Sequence, residues 1–283
     1  MTLYRLEAEA DLVAPTLVVA LDGWIDAGAA ATTAAAYLAE GGDVAATFDA
    51  DALYDYRARR PTLEIVDGHL AKLDWPELVV RRTRREGHDL LVLTGAEPDF
   101  RWRAFADAVL ELARRWGVAQ SISLGAIPAA VPHTRPVPIL GSASAPGLLR
   151  GGVRPGPDGL LRVPAAAVSV LEMTIGGGGI PAVGYYAQIP HYVSGRYPGA
   201  AVELIVALER HLDIVIAAES LAEEARQMRI RLDTATALDE TTKAYVERME
   251  AMVDEARLPS GDELISDIER FLGERRSGHD LLN

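Results

Sequence analysis

The sequence predicts an α/β protein in which helices cover a mostly parallel mixed sheet, followed by a helical appendage. Two observations predict this fold class. Short aliphatic and β-branched runs alternate with segments of high helix propensity up to about residue 217, as in proteins built on a parallel, helix-covered sheet. Beyond that point Gly and Pro become rare and charged residues are frequent. We therefore predict an α/β core domain at residues 1–217 and a helical appendage at residues 218–283.

The first strand, loop and helix are the clearest local unit. Residues 16–21 read TLVVAL, a short β-branched run, and Asp22 and Gly23 follow as a loop. Residues 27–40 are rich in Ala, which favours a helix. Later apolar runs predict further strands at residues 44–48, 78–82, 90–94, 119–124 and 180–187.

Helices are predicted between the later strands. An apolar stripe with steps of three and four residues predicts one that packs on the sheet, and it consists of Trp102, Phe105, Val109, Leu112 and Trp116. Two more helices are predicted at residues 164–173 and 198–212. The stretch 128–164 is rich in Pro and Gly, so we expect irregular structure there with one or two short strands.

The predicted appendage contains three helices. Leu221, Ala225 and Met228 begin one apolar seam, and Tyr245 and Met249 begin another, which together predict two packed antiparallel helices. The sequence SGDE at residues 260–263 has capping-box spacing and predicts the start of a third helix. These seams are too short for an autonomous coiled coil, so the appendage is a candidate partner surface.

Composition narrows the possible partners. The chain of 283 residues has 41 acidic and 28 basic residues, and this net charge of -13 disfavours binding to nucleic acid or to an anionic membrane. No secretory signal pattern and no apolar run of about 20 residues is present, so we expect a cytoplasmic protein. Because the chain has no cysteine and no His pair at metal-ligand spacing, we expect no metal and no cofactor.

The loop after the first strand is the first candidate site. It carries Asp22, Trp24 and Asp26 at the carboxyl edge of the sheet, which is where open α/β sheets bind ligands. Asp26 is equally well placed as an ordinary helix N-cap. Both interpretations stay open from the sequence.

Two further segments are candidates. Asp55, Tyr56 and Arg57 begin a segment with three Arg that could hold a carboxylate or phosphate, form a subunit contact, or make a salt-bridged surface turn. Glu97 and Asp99 follow the predicted strand at residues 90–94. All of these side chains could line one cleft at the carboxyl edge.

Single His residues in predicted loops complete the candidate set. His133, with Arg135 nearby, and His191 could each act as an acid or base or make a structural hydrogen bond. No Gly-x-Ser-x-Gly nucleophile motif is present. The four glycines at 176–179 lack the residues of a phosphate-binding loop, which favours a simple turn.

Several short sequence segments occur in an order that resembles a known family. They are GWIDAG at 23–28, DYRARRP at 55–61, LTGAEPD at 93–99, LGAIP at 124–128, HTRP at 133–136, PHYV at 190–193 and LPSGDE at 258–263. Together they resemble the proteasome assembly chaperone 2 family, in particular its actinobacterial branch. The resemblance spans nearly the whole chain.

The resemblance implies a three-layer α/β sandwich similar to phosphorylases and hydrolases, and oligomeric packing. It implies a non-enzymatic, oligomeric protein-binding module whose partners include proteasome subunits or another protein. We expect a homo-oligomer, with a trimer as the working hypothesis. The alternative is a small-ligand-binding protein or a hydrolase-like or phosphorylase-like enzyme that uses the cleft at the carboxyl edge. Fold similarity alone assigns no catalytic residue.

Overall fold

The structure is a computed structural model that describes residues 2–7, 12–157 and 159–257. Contacts divide the chain into two compact units, Met1–Ala235 and the chain from Thr236 onward, and each is described by itself. The α/β body lies in the first unit. The predicted third helix of the appendage falls outside the described residues.

The described residues contain ten strands. They are β1 (Tyr4–Leu6), β2 (Thr16–Asp22), β3 (Asp43–Phe48), β4 (Thr62–Val66), β5 (His69–Asp74), β6 (Leu78–Arg85), β7 (His88–Ala96), β8 (Gln120–Ala129), β9 (Ile139–Ala143) and β10 (Ala182–Pro190). Eight of them form one sheet in the order β1-β3-β6-β7-β2-β8-β10-β9, and β4 and β5 form a separate antiparallel pair. The central strands β7, β2, β8 and β10 are parallel, whereas β1, β6 and β9 run in the opposite direction.

Seven helices are described. They are α1 (Ala30–Ala39), α2 (Ala50–Leu53), α3 (Trp102–Arg115), α4 (Ala167–Gly177), α5 (Pro198–Leu212), α6 (Glu219–Ala237) and α7 (Glu240–Arg257). A short 3-10 turn, Ala27–Ala29, precedes α1. Helices α1 and α5 pack together on one face of the sheet, and α3 and α4 pack on the other. The predicted α/β class and its three layers are confirmed.

The two cores follow from the alternation of side chains along the central strands. On β2, Val18 and Ala20 face α1 and α5, whereas Leu17, Val19 and Leu21 face α3 and α4. Both sets are almost fully buried. A parallel strand covered on both faces needs such a continuous apolar run, which is what the sequence offers at residues 16–21.

Helix α6 belongs mostly to the first unit, although the predicted division at 217/218 assigns it to the appendage. Apolar contacts hold α6 in this unit. Leu221 is fully buried in the core beside α1 and α5, and Met228 and Leu232 pack against the same core. The division at 217/218 stays a prediction. The compact unit continues through α6 to Ala235.

Candidate functional site at the carboxyl edge of the sheet

A buried carboxylate ties three segments together at the carboxyl edge. Glu97, only 9% exposed, follows β7. Its Oε2 accepts a hydrogen bond from the backbone N–H of Trp24 at 3.1 Å, and its Oε1 accepts one from the N–H of Ala167, the first residue of α4, at 2.6 Å. Glu97 therefore fixes the loop after β2 against the start of α4.

The same loop needs a glycine at position 23. A Cβ on Gly23 would lie 2.6 Å from the Cβ of Glu97 and would overlap its carboxylate oxygen Oε2. The close approach leaves Trp24 on the outer side of the loop, where its side chain is 69% exposed. Asp22 is also exposed. The loop thus presents an indole and a carboxylate to solvent.

Asp26 serves as a cap for helix α1. Its Oδ1 accepts hydrogen bonds from the backbone N–H groups of Ala31 at 2.8 Å and Thr32 at 3.4 Å, and its Oδ2 accepts one from the Thr32 hydroxyl. Burial raises the pKa of Asp26 to about 6, partly offset by these hydrogen bonds. The N-cap residue of α1 is Ala29, so Asp26 supports the start of the helix from outside the ordinary N-cap position that the sequence suggested.

A second group surrounds Asp99. Its Oδ2 accepts a hydrogen bond from the N–H of Asp55 at 2.9 Å, and its Oδ1 lies 3.3 Å from Nε of Arg59. The Oδ1 of Asp55 accepts a hydrogen bond from the backbone N–H of Arg57 at 2.9 Å, and the Arg57 side chain is exposed. These contacts make a salt-bridged turn, one of the alternatives left open by the sequence.

Tyr56 joins this turn to the β4–β5 pair. Its hydroxyl donates to Oδ1 of Asp51 at 2.6 Å, and its ring contacts the ring of Trp75 edge-on, with centroids 4.8 Å apart. Burial and the hydrogen bond to Asp51 raise the pKa of Tyr56 to about 12. The phenol is therefore held as a neutral donor.

The predicted histidines lie at the ends of β8 and β10. His133 is buried, its Nδ1 lies 2.7 Å from the hydroxyl of Tyr192, and its Nε2 lies 3.2 Å from Oδ1 of Asp233 on α6. Arg229, also on α6, donates from a terminal guanidinium nitrogen to the carbonyl of His133 at 2.9 Å. His133 thus anchors α6 to the body.

Arg135 and His191 complete the predicted set. Arg135 is partly buried, and its backbone N–H donates to the carbonyl of Pro132 at 3.3 Å. His191 is exposed, and its Nδ1 lies 3.1 Å from the carbonyl oxygen of Ala129 at the end of β8. Both residues lie in loops, as expected.

The structure therefore divides the eleven predicted residues into two groups. The loops after β2 and β7 and the segment at residues 54–61 are joined through hydrogen bonds of Glu97 and Asp99. His133 forms a separate network with Tyr192 and α6, and the ring of His191 contacts that of Tyr192. The carboxylates of Asp26, Glu97 and Asp99 are occupied by internal donors, whereas Asp22, Trp24 and Arg57 face solvent. That these residues form a binding surface stays a prediction.

Two buried polar networks were not predicted. Glu172 on α4 accepts hydrogen bonds from Tyr186 at 2.5 Å and from Ser142 at 3.0 Å, and burial raises its pKa. The backbone leaves room for this network, because a Cβ on Gly125 would lie 2.5 Å from the Tyr186 ring, and one on Gly184 would overlap the Glu172 carboxylate. Nothing in the spacing of these residues reveals the network, since strand register brings them together.

The second network is centred on His211 of α5. Its Nδ1 lies 2.6 Å from the hydroxyl of Tyr185, and its Nε2 lies 3.0 Å from Oε1 of Gln120. Burial, reinforced by the charge of Arg150, lowers the pKa of His211 to about 4. The neutral ring can then accept from Tyr185 at Nδ1 and donate to Gln120 at Nε2.

Within the described residues, no group of three or more His, Asp or Glu side chains could hold a metal ion. Among the described helices, none is long and apolar enough to cross a membrane.

Comparison with known proteins assigns the chain to a family. The PAC2 family model matches residues 20–236, which include the whole carboxyl edge. The chain belongs to the PAC2 family. The solved structure of a protein of unknown function from Corynebacterium glutamicum is 31% identical, with a TM-score of 0.84 over 90% of this chain and 97% of that one. No curated protein matched the chain.

Other solved structures are similar as well. A Mycobacterium tuberculosis proteasome-assembly chaperone homologue is 34% identical, with a TM-score of 0.75 over 82% of this chain and 99% of that one. A PAC2 family protein from Streptomyces avermitilis is 37% identical, with a TM-score of 0.73 over the same shares. Both relatives are actinobacterial, so the resemblance inferred from the sequence segments is confirmed.

Proposed function

We propose that this chain is a non-enzymatic protein-binding module of the proteasome-assembly chaperone type, which acts in the cytoplasm and binds proteasome subunits. PAC2 membership and the similarity to the M. tuberculosis proteasome-assembly chaperone homologue support this proposal. We also propose that it acts as a homo-oligomer, with a trimer as the working hypothesis.

The observation that carries the proposal is the distribution of charge and exposure at the carboxyl edge. Asp26, Glu97 and Asp99 each accept hydrogen bonds from the chain's own backbone, as structural caps do. Trp24 instead stands 69% exposed on a loop that Glu97 holds in place. Exposed aromatic residues on a fixed loop are typical of protein–protein contact sites, where Trp is enriched.

The test measures binding of the purified full chain to purified proteasome subunits of the same organism. We expect saturable binding and faster assembly of the subunits on native gels. Trp24→Ala should weaken binding by roughly 30-fold or more, since a central Trp contributes about 2 kcal/mol or more to an interface. Val13→Ala is the control, because Val13 is 79% exposed but precedes β2 at the opposite edge of the sheet.

Two results would count against the proposal. One is no detectable binding at 100 µM subunit together with an unchanged assembly rate. The other is an equal effect of Trp24→Ala and Val13→Ala, which would mean that the loop after β2 has no special role.

A further inference from the structure

Two joined segments at the carboxyl edge carry a group of exposed arginines. The turn at residues 54–60 and the residues 97–103, which lead into α3, are joined because the backbone N–H groups of Asp99 and Phe100 both donate to the carbonyl of Leu53, at 2.9 and 3.0 Å. Four arginines of these segments form what we call the basic edge: Arg57, Arg60, Arg101 and Arg103. All four side chains are exposed, and none of their guanidiniums makes a hydrogen bond or ion pair with a described residue.

The basic edge differs in charge from the rest of the chain. The whole chain carries 41 acidic and 28 basic residues, whereas the two joined segments contain five arginines and three acidic residues. Two of those acidic residues, Glu97 and Asp99, already accept hydrogen bonds from backbone N–H groups. On β1, by contrast, the exposed Arg5 has a carboxylate partner in Glu7. The basic edge therefore holds positive charge that the chain itself does not neutralise.

Helix α3 gains no stability from the arginines at its start. The N-terminal end of a helix carries a partial positive charge and favours Asp or Glu, yet α3 has no acidic residue in its first turn. Arg101 is instead the N-cap residue, and Arg103 is the second residue of the helix. Two unpaired cations at this position are disfavoured within the fold and would be favoured by a negatively charged partner.

Exposed aromatic rings lie among these arginines. Phe100, directly before Arg101, is 49% exposed, and so is Trp75, whose ring contacts that of Tyr56 beside Arg57. Arg and aromatic residues are enriched at the centres of protein interfaces. The carboxylates of a partner can pair bidentately with the guanidiniums while its apolar groups pack on the rings.

We propose that the basic edge, together with Phe100 and Trp75, binds a segment of a partner protein that is rich in Asp and Glu and also carries aromatic side chains. The proposal names the chemistry of the segment bound beside the loop after β2, and it rests on the proposed function only for the partner being a protein. A short peptide is favoured over a nucleic acid, because the net charge of -13 repels an extended polyanion.

The test measures binding of a defined acidic peptide to the purified full chain by isothermal titration calorimetry. The probe is a blocked twelve-residue peptide of Glu and Asp with two Phe, and the control peptide has Gln and Asn in place of the acids. Arg57→Gln with Arg101→Gln removes one guanidinium from each segment. Arg154→Gln with Arg210→Gln is the matched control, because these exposed residues lie beside the outer strand β9 and in the last turn of α5.

We expect the acidic peptide to bind at least about tenfold more tightly than the control peptide. Its affinity should fall at least about tenfold when NaCl rises from about 50 to about 500 mM, because salt screens exposed charges. The Arg57→Gln and Arg101→Gln variant should bind about fivefold more weakly or worse, and the control variant within about twofold of the wild type.

Four results would overturn the proposal. Two of them are equal binding of the two peptides and equal binding by the two variants. The third is tighter binding of a twelve-nucleotide oligothymidylate than of the acidic peptide, which would make a nucleic acid the partner. The fourth is a loss of peptide binding as the concentration of the chain rises, which would mean that a second copy covers the basic edge.

Thermal unfolding separates binding from folding. Because Arg101 and Arg103 lie at the positive end of α3, Arg101→Gln with Arg103→Gln should unfold at an unchanged or higher temperature while losing peptide affinity. A lower unfolding temperature would mean that these arginines serve the fold, against the proposal. A chain that binds the peptide but no proteasome subunit would contradict only the proposed function, and a chain that binds subunits but no peptide would contradict only the role of the basic edge.

Discussion

The carboxylate of Glu97 occupies the space in which a side chain on Gly23 would lie. The Cβ of any other residue at position 23 would stand 2.6 Å from the Cβ of Glu97. The loop after β2 and the end of β7 are therefore fitted to each other, and the exposed position of Trp24 depends on that fit.

Gly23→Ala should lower the free energy of unfolding by about 1 to 3 kcal/mol, as overpacking of a buried contact does. Urea unfolding measures this loss. The control is Gly177→Ala at the end of α4, where an added Cβ would meet nothing within 4 Å. An equal effect of both substitutions would contradict the importance of the contact with Glu97.

Asp26→Ala should destabilise the protein by about 1 to 2 kcal/mol, because it removes the acceptor for the N–H groups at the start of α1. Asp22→Ala is the matched control, since Asp22 is exposed on the same loop and should change stability by less than about 0.5 kcal/mol. Thermal and urea unfolding of both variants measure the difference. Equal stability of the two variants would mean that the cap contributes nothing.

Protonation of His211 should lower the free energy of unfolding in mild acid. Its pKa is about 4 in the folded chain and about 6.5 in the unfolded chain, so the unfolded state binds more protons between those values. Stability contributed by the neutral ring is complete above pH 6.5 and decreases as the pH falls toward 4, by up to about 3 kcal/mol. The raised pKa of Asp26 acts with the opposite sign below pH 6.

A variant of His211 isolates the contribution of this histidine. His211→Asn should flatten the pH dependence of the unfolding free energy between pH 6.5 and 4, whereas His88→Asn, at an exposed position on β7, should leave it unchanged. Urea titrations at several pH values provide the measurement. An unchanged slope in His211→Asn would show that His211 does not control acid stability.

Arg229 should hold α6 on the body. Arg229→Ala removes the hydrogen bond to the His133 carbonyl and the ion pair with Asp233. Because Arg229 is partly exposed, we expect a loss of only about 1 kcal/mol, which corresponds to roughly fivefold faster amide exchange over residues 219–235. Arg226→Ala, which removes an exposed ion pair with Glu223 on the same helix, is the control. Equal rates of amide exchange in the two variants would contradict the role of Arg229 in holding α6 on the body.

The sequence predicts most of the body because its signals are local. The β-branched run of β2, the Ala-rich α1 and the apolar stripe of α3 each depend on neighbouring residues, and all three elements are confirmed. The β4–β5 hairpin was not predicted, although the sequence carries a signal for it. Asp67 and Gly68 both have positive φ and form a turn between strands of alternating apolar residues, a strong sequence signature of a hairpin.

The rest depends on contacts between distant residues. The carboxyl edge could be located from the ends of β2 and β7, but only the structure shows that Glu97 bonds to Ala167, 70 residues away. The network of Glu172 with Tyr186 likewise requires the register of β8 with β10 and the position of α4. Spacing along the chain does not predict such pairs.

The eight-stranded sheet ends in short strands, with three residues in β1 and five in β9. Free edges are where one sheet can recruit strands from another molecule, and a short edge offers few unpaired backbone groups for that purpose. The long strands β7, β8 and β10 all lie inside the sheet, where both sides are already paired. The eight-stranded sheet should therefore offer little edge for the growth of cross-β fibrils, even in concentrated solution.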